Sequence, residues 1–392
     1  MRPLNLSSFQ SVSSPLKLTK EQDLHRVNCL PGGLLVLKIT DLLLNSFPEL
    51  NPCEPLMTDD TSEITPLEPL DPQLKDIQPG GGVIIHLELL WGKWRRFWLK
   101  AFRRGYVEGM RQLRKGEPDG VPLEVLDPRD LKFYRNQTDC HWEPQDDPFT
   151  GRDRLPFARV GLAELIVFCT IFWGPAIALA IFLLNVSVAA PWGALLWVVV
   201  LALALLGTEI AWFFRDPNRE IPSEPGQVIS PADGKVVHIE EVDDEFVGPA
   251  IEIGIFLSVF NVHINRSPIA ARVIGLRYKP GKYLNALRPE SARENEQLAV
   301  RIEESAAPYR RMIVRQITGA IARRIVCWLK PGDWLDRGEQ FGMIKLGSRT
   351  ELVLPREEGL QLITKVGDKV LAGSSILAVY APSKPASEEV SS

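Results

Sequence analysis

The sequence predicts an α+β chain: a mostly β C-terminal domain, preceded by a two-helix transmembrane hairpin and a low-order N-terminal region. Three observations predict it. Two apolar runs, Leu162 to Leu184 and Trp192 to Phe214, hold one ionisable residue each, Glu164 and Glu209. Each is long enough to cross a hydrocarbon layer of about 30 Å, which needs roughly 20 apolar residues. After Arg215, short β-rich pieces alternate with Gly, Pro and Asp turns. Between Pro48 and Pro79, seven prolines and few large apolar residues leave little burial to offset ordering entropy.

Taken in order, residues 1–80 form a poorly ordered, Pro-rich acidic region. Its second half, residues 41–80, carries nine acidic side chains against one basic one, Lys75. Residues 81–159 reverse the sign. Positions 93–115 hold nine basic side chains and one acidic one, interleaved with Trp94, Phe97, Trp98, Phe102 and Tyr106. That mixture suits a helix at a membrane surface, basic heads meeting anionic lipid and aromatic rings sitting at the interface. The helix is expected over 83–115. Six prolines from Pro118 to Pro156 exclude one continuous helix beyond it.

Residues 160–214 make the hairpin. Its turn, Asn185 to Pro191, is short and uncharged, whereas Arg152, Arg154 and Arg159 precede the pair and Arg215 and Arg219 follow it. By the positive-inside rule both flanks, and with them the C-terminal domain, lie on the cytoplasmic side of the inner membrane. Pro175 is expected to kink the first helix.

Residues 215–382 form the β domain, with strands expected at Gly234–Ile239, Ile251–Leu257, Arg272–Tyr278, Ala299–Glu303, Arg311–Ile317 and Glu351–Leu354. A weak internal repeat relates Pro331–Glu339 to Val366–Ser374, with Gly-Asp and a later Gly recurring 35 residues apart. Gly-Asp-x-x-x-x-Gly is a turn–strand–turn device, of the kind that builds lipoyl-like barrel-sandwich elements. Residues 383–392 are a polar tail. A net charge of -4 gives no footprint for nucleic acid. The five cysteines lack metal-ligand spacing and the five histidines are dispersed, so no metal is expected and the thiols fit a reducing compartment.

Three segments carry chemistry: Ser230-Pro231-Ala232-Asp233-Gly234-Lys235-Val236, Asn261-Val262-His263-Ile264-Asn265-Arg266-Ser267-Pro268, and Leu346-Gly347-Ser348. They supply Asp233, His263 and Ser348, a set able to cut its own backbone. Out of context, each piece is more often structural: Asp-Gly a hairpin turn, a lone histidine a core residue, Gly-Ser a turn. With Phe213–Arg219, Asn295-Glu296 and Gly319–Ile325, however, the segments make six matches in order. Over 213–382 the chain resembles the phosphatidylserine decarboxylase proenzyme family, of the short, pyruvoyl-dependent type. The resemblance does not reach residues 1–150, and Arg349 stands where longer bacterial members commonly have Thr.

The resemblance implies cleavage between Gly347 and Ser348, a pyruvoyl cofactor made from Ser348, and conversion of phosphatidylserine to phosphatidylethanolamine and CO2. The chemistry is consistent with that. Decarboxylating an α-amino acid leaves a carbanion that no ordinary side chain absorbs but a cofactor carbonyl joined as an imine does. Ser348 Oγ would attack the Gly347 carbonyl, with Gly347 free of a Cβ, His263 as base and Asp233 orienting the imidazole. The resemblance also implies that His263 acts again in turnover by protonating the carbanion. Lys235 and Arg266 are candidates for a substrate phosphate or carboxylate. The partners expected are the phospholipid and the associated pieces 1–347 and 348–392; a homo-oligomer is compatible. Two other readings stay open, a pyruvoyl decarboxylase of another headgroup or a soluble amino acid, and a lipoyl- or biotinyl-like carrier module with Lys235 as its lysine.

Overall fold

Each of the six expected strands is present in the computed structural model, which describes residues 65–74, 85–113, 149, 151, 154–320, 324–345 and 347–381. Asp59–Ser392 form one unit; the other, Met1–Thr58, lies outside the described residues, as do the tail 383–392 and most of the segment between 114 and 153.

The strands are β1 (Gln227–Ile229), β2 (Gly234–Asp244), β3 (Gly248–Leu257), β4 (Ile264–Arg266), β5 (Ala271–Lys279), β6 (Gln297–Glu304) and β7 (Arg311–Ile317). Then come β8 (Arg324–Cys327), β9 (Trp334–Leu335), β10 (Gln340–Lys345), β11 (Ser348–Pro355), β12 (Leu360–Leu362), β13 (Lys369–Val370) and β14 (Ile376–Tyr380). The main sheet runs β13-β2-β3-β11-β7-β6-β5-β9, with antiparallel neighbours throughout. Two three-stranded sheets, β4-β10-β8 and β1-β14-β12, complete the domain. Ile253, Ile255, Leu257, Leu276, Leu298, Met312 and Phe341 are among the side chains closed into its core.

The internal repeat has a structural counterpart. Its two copies contribute β9 and β13, the two edges of the main sheet. Gly332 and Gly367 take positive φ values of 91° and 101°, and Gly338 and Gly373 of 79° and 80°, a region open to glycine and costly for other residues. In each copy the Asp side chain accepts from a backbone N–H three residues earlier, Lys330 to Asp333 and Lys365 to Asp368, both at 3.0 Å. Reciprocal bonds cross between the copies' partners: Ile229 N–H donates to the Pro268 carbonyl and Arg266 N–H to the Pro231 carbonyl.

Two apolar helices, Leu162–Asn185 and Trp192–Phe213, precede the sheet. Both are long and apolar enough to cross a membrane, and most of their large side chains face outward. They pack where one residue is small: Gly207 lies under Trp173, whose indole N–H donates to the Ala204 carbonyl at 3.2 Å. At the base of the pair the incoming and outgoing chains bond to each other, Ala158 N–H to the Phe214 carbonyl and Asp216 N–H to the Pro156 carbonyl. The basic, aromatic segment forms two helices, Ile85–Phe102 and Arg104–Leu113, broken at Arg103 rather than continuous over 83–115.

One part of the expected low-order region is docked. Across 65–74, Glu68 pairs with Arg277 and Arg301, Asp71 accepts from the Tyr278 N–H, and Leu74 enters the core. Glu68 of the acidic run thus finds cations on β5 and β6, partners that composition does not reveal.

Candidate active site

His263 stands just before β4, between Val262 and Ile264, and is wholly buried. Its Nδ1 lies 2.9 Å from the Asn261 carbonyl, and its Nε2 accepts the Gly347 N–H at 3.2 Å. A carbonyl can only accept, so Nδ1 carries the proton and Nε2 presents a lone pair toward the segment that holds the Gly-Ser pair. The ring of Phe213, at the end of the second apolar helix, lies 4.6 Å away. Burial pushes the imidazole pKa down to about 4; the Asn261 bond opposes that shift and the Arg215 charge adds to it. His263 is therefore a neutral base at physiological pH.

Gly347 connects β10 to β11 with φ of +67°. A Cβ there would meet nothing within 4 Å, so conformation rather than space demands glycine. Space matters on the other side of its carbonyl, because a Cβ on Gly319 would lie 2.1 Å from the Gly347 oxygen. The Gly319 backbone is in turn held by the Asn295-Glu296 segment: Asn295 Nδ2 donates to the carbonyls of Leu284 and Thr318, and Thr318 N–H donates to the Glu296 carbonyl. Ser348 opens β11 with no exposed surface, and its Oγ has no hydrogen-bond partner among the described residues. A buried hydroxyl without a partner is costly, which makes it a candidate reacting group.

Asp233 is not the partner of His263. Its carboxylate takes Arg219 at 2.9 and 2.8 Å and the Ala372 N–H at 2.8 Å, and His263 is oriented by the Asn261 carbonyl instead. A single guanidinium nitrogen, Nη2 of Arg219, shared between the two oxygens, and the amide commit both carboxylate oxygens. Asp233 thus fastens the Ser230–Gly234 loop to the segment leaving the hairpin. Asn265 ties the same loop to the reacting strand: its Nδ2 reaches the Pro231 carbonyl and Thr350 Oγ1, and its Oδ1 accepts from Gln316.

The two candidate substrate cations lie elsewhere. Lys235 is exposed on β2, opposite Lys369. Arg266 pairs with Asp216 at 3.3 Å and donates to the Gly338 carbonyl at 3.0 Å, so its charge is already matched within the protein. The residue after the cleavage candidate has its own network: Arg349 meets Glu351 at 2.9 Å and His238 at 2.6 Å, and Arg315 bridges Glu252, Glu351 and Asp244. His238, Glu252 and Glu351 are close enough to share a metal ion, but the two guanidiniums in the cluster already neutralise the carboxylates. Burial and the Glu252 charge push Glu351 up, while His238 and Arg315 hold Glu252 below the usual range despite its own burial.

Reasoning from sequence missed Arg219, Gly319 and the Asn261 carbonyl as parts of the site. All three lie inside matched motifs, but the use of a backbone carbonyl leaves no trace in sequence.

A family model described as phosphatidylserine decarboxylase matches residues 208–378. The chain is 51% identical over 250 residues to a phosphatidylserine decarboxylase proenzyme of Rhodopirellula baltica, covering 64% of this chain and 99% of that protein. The chain belongs to the phosphatidylserine decarboxylase proenzyme family. Proenzymes of Desulfotalea psychrophila and Chlorobaculum parvum are 42% and 41% identical over 226 and 223 residues, covering 57% of this chain and 96% of each relative. The family match begins at residue 208 and so takes in the last turn of the second apolar helix, Phe213 included.

Proposed function

We propose that this family member is a self-processing, pyruvoyl-dependent phosphatidylserine decarboxylase acting at a membrane surface. The observation that carries the proposal is the setting of Gly347-Ser348. A neutral imidazole lone pair lies 3.2 Å from the Gly347 nitrogen, the glycine holds a left-handed conformation, and the next hydroxyl is buried and has no partner among the described residues. That setting fits a serine on its way to becoming a pyruvoyl group.

In the proposed route, Ser348 Oγ adds to the Gly347 carbonyl carbon and passes its proton to His263 Nε2. The Gly347–Ser348 C–N bond then breaks, the nitrogen is protonated, and Gly347 is held as an ester on Oγ. Loss of the Ser348 α-proton expels the Gly347 carboxylate and leaves dehydroalanine, which takes up water and releases ammonia. Once formed, the pyruvoyl group supplies a carbonyl that takes the substrate amine and draws off the electrons released with CO2. His263, whose Nε2 lies beside Gly347, would hold the proton for the carbon left behind. The Asn261 carbonyl fixes its tautomer, and Asp233 acts at one remove through Arg219.

The pieces 1–347 and 348–392 are expected to stay together, because β11 lies inside the main sheet between β3 and β7. The paired repeat copies support a lipoyl-like barrel-sandwich relationship. Membrane-surface action is supported by the two apolar helices and by Phe260, 63% exposed, whose carbonyl accepts from Arg215 at the foot of the second helix. The flanking arginines support a position of the domain on the cytoplasmic side of the inner membrane, by the positive-inside rule.

The test is an intact-mass measurement on the purified chain, with and without Ser348→Ala, beside CO2 release from phosphatidylserine vesicles and from free serine. The proposal expects two pieces, the smaller one blocked as pyruvoyl, an uncut Ser348→Ala chain, and CO2 from the vesicles alone. A full-length native chain with an unmodified Ser348 would sink it, and equal release from free serine would sink the lipid assignment.

A further inference from the structure

The first apolar helix is more than a tether. Glu164, in its first turn, forms a buried ion pair with Lys345, the last residue of β10; their side chains are 2% and 7% exposed. Lys345 Nζ also lies 3.4 Å from the Val160 carbonyl, just before the same helix. Two positions beyond Lys345 comes Gly347. A charge this deeply buried persists only where its counter-charge is held, so the position of β10's end is set by the helix.

The neighbourhood makes the same connection through packing. Leu162, Leu165, Phe213 and Phe214 from the base of the helix pair cluster with Val262, Ile264, Val326 and Met343. Val262 and Ile264 flank His263, and Ile344 N–H donates to the His263 carbonyl at 3.1 Å. The base and the strand entering the cleavage site therefore rest on one apolar surface, and that surface belongs to the helices. A flexible tether would need none of these contacts, least of all a buried charge pair.

We propose that Glu164 is a positioning residue for self-cleavage: through Lys345 it fixes the strand that presents Gly347 and Ser348, so processing requires the hairpin base to be docked on the β domain. This rests on the self-cleavage reading. A solvated connection would leave the end of β10 free to shift relative to Nε2, and a proton transfer between positioned groups tolerates little displacement.

The experiment uses the full chain synthesised into nanodiscs, with the appearance of 1–347 and 348–392 followed over time. Glu164→Gln and Lys345→Met are each expected to slow cleavage at least about tenfold. The exchange of both charges, Glu164→Lys with Lys345→Glu, should recover the rate to within a few-fold, a rescue that mere loss of packing would not give. Unfolding midpoints are measured in parallel on the same variants in a Ser348→Ala background, which reports folding without cleavage. Single variants that cut at the wild-type rate overturn the inference while leaving the self-cleavage reading intact. Exchange variants that stay uncut while folded also overturn it, and so do variants whose slowed cutting tracks a matching loss of folded chain. An uncut wild-type chain removes both this inference and the reading beneath it.

Discussion

Self-cleavage should be insensitive to pH across a range where a histidine base would ordinarily fail. An exposed imidazole has a pKa near 6.5 and is only about 9% neutral at pH 5.5. Burial lowers His263 to about 4, so about 97% of it is neutral at that pH, a difference of about tenfold in available base. The assay is a pH series on freshly synthesised precursor, reading the first-order appearance of the two pieces. The rate is expected to be level from pH 8 to 5.5 and to halve near pH 4. The same shift affects stability, and its sign is fixed. Between pH 6.5 and 4 the unfolded histidine binds a proton that the folded one refuses, so stability is complete above 6.5 and falls as the pH drops toward 4. The loss is about 3 kcal/mol in total. Folding must therefore be followed by circular dichroism at each pH. A rate that halves near 6.5 in folded protein would refute the assignment of the buried His263 as base, and a rate level down to pH 3 would refute any titrating base in this range.

Other perturbations test the rest of the site. Gly319→Ala would place a methyl 2.1 Å from the Gly347 oxygen, so its backbone must move; cleavage, read on a gel, is expected to slow by about 100-fold or more. Arg219→Ala leaves Asp233 buried without its guanidinium and should cost about 3–5 kcal/mol in denaturant unfolding of the uncut Ser348→Ala chain; a loss under about 1 kcal/mol would show the pair to be dispensable. Phe260→Ser in the chain held in phosphatidylserine nanodiscs should raise KM by about tenfold or more with little change in kcat, since a phenyl ring in a bilayer contributes about 1.5–3 kcal/mol. An unchanged KM would remove Phe260 from the membrane-facing surface.

Much of the fold was legible because its strands alternate or run apolar in the usual way; β2, β3, β5, β6 and β7 each contain an expected strand. β11 shows where legibility stops. It begins at Ser348, three residues before the expected Glu351, because Ser348, Arg349 and Thr350 are polar yet buried, satisfied or reactive in ways that hydropathy cannot register. β9 and β13 are two residues long and carry no periodicity; only the repeated Gly-Asp turns gave them away. The sequence groups Ser348, Gly347 and His263 in one candidate site, and the structure brings His263 and Gly347 into contact. The role of Asp233 was not legible, since chain order cannot say whether a carboxylate faces an imidazole or a guanidinium. Nor could the sequence pair Glu164 with Lys345, which are 181 residues apart.

The precursor geometry also narrows where movement can occur during cleavage. On the C-terminal side, β11 is bonded along both edges, with Ser348 opposite Leu257 and Arg349 opposite both Phe256 and Ile317. On the N-terminal side, Lys345 is held by Glu164 and pairs with Arg324 across β10 and β8. Between these clamps lie only Leu346 and Gly347. The Nε2 lone pair of His263 is occupied by the Gly347 N–H at 3.2 Å, at the long end of the usual range, and it must be released before the lone pair can take the serine proton. In the proposed route Gly347 would permit that release, because it crosses φ space without a Cβ penalty. In that route the same glycine would supply both the attacked carbonyl and the pivot, with paired strands on either side. A substitution at position 347 should for that reason slow cleavage by more than the roughly 1–2 kcal/mol that its left-handed φ would cost the uncut fold, whereas one that loosens either clamp should lower both in step.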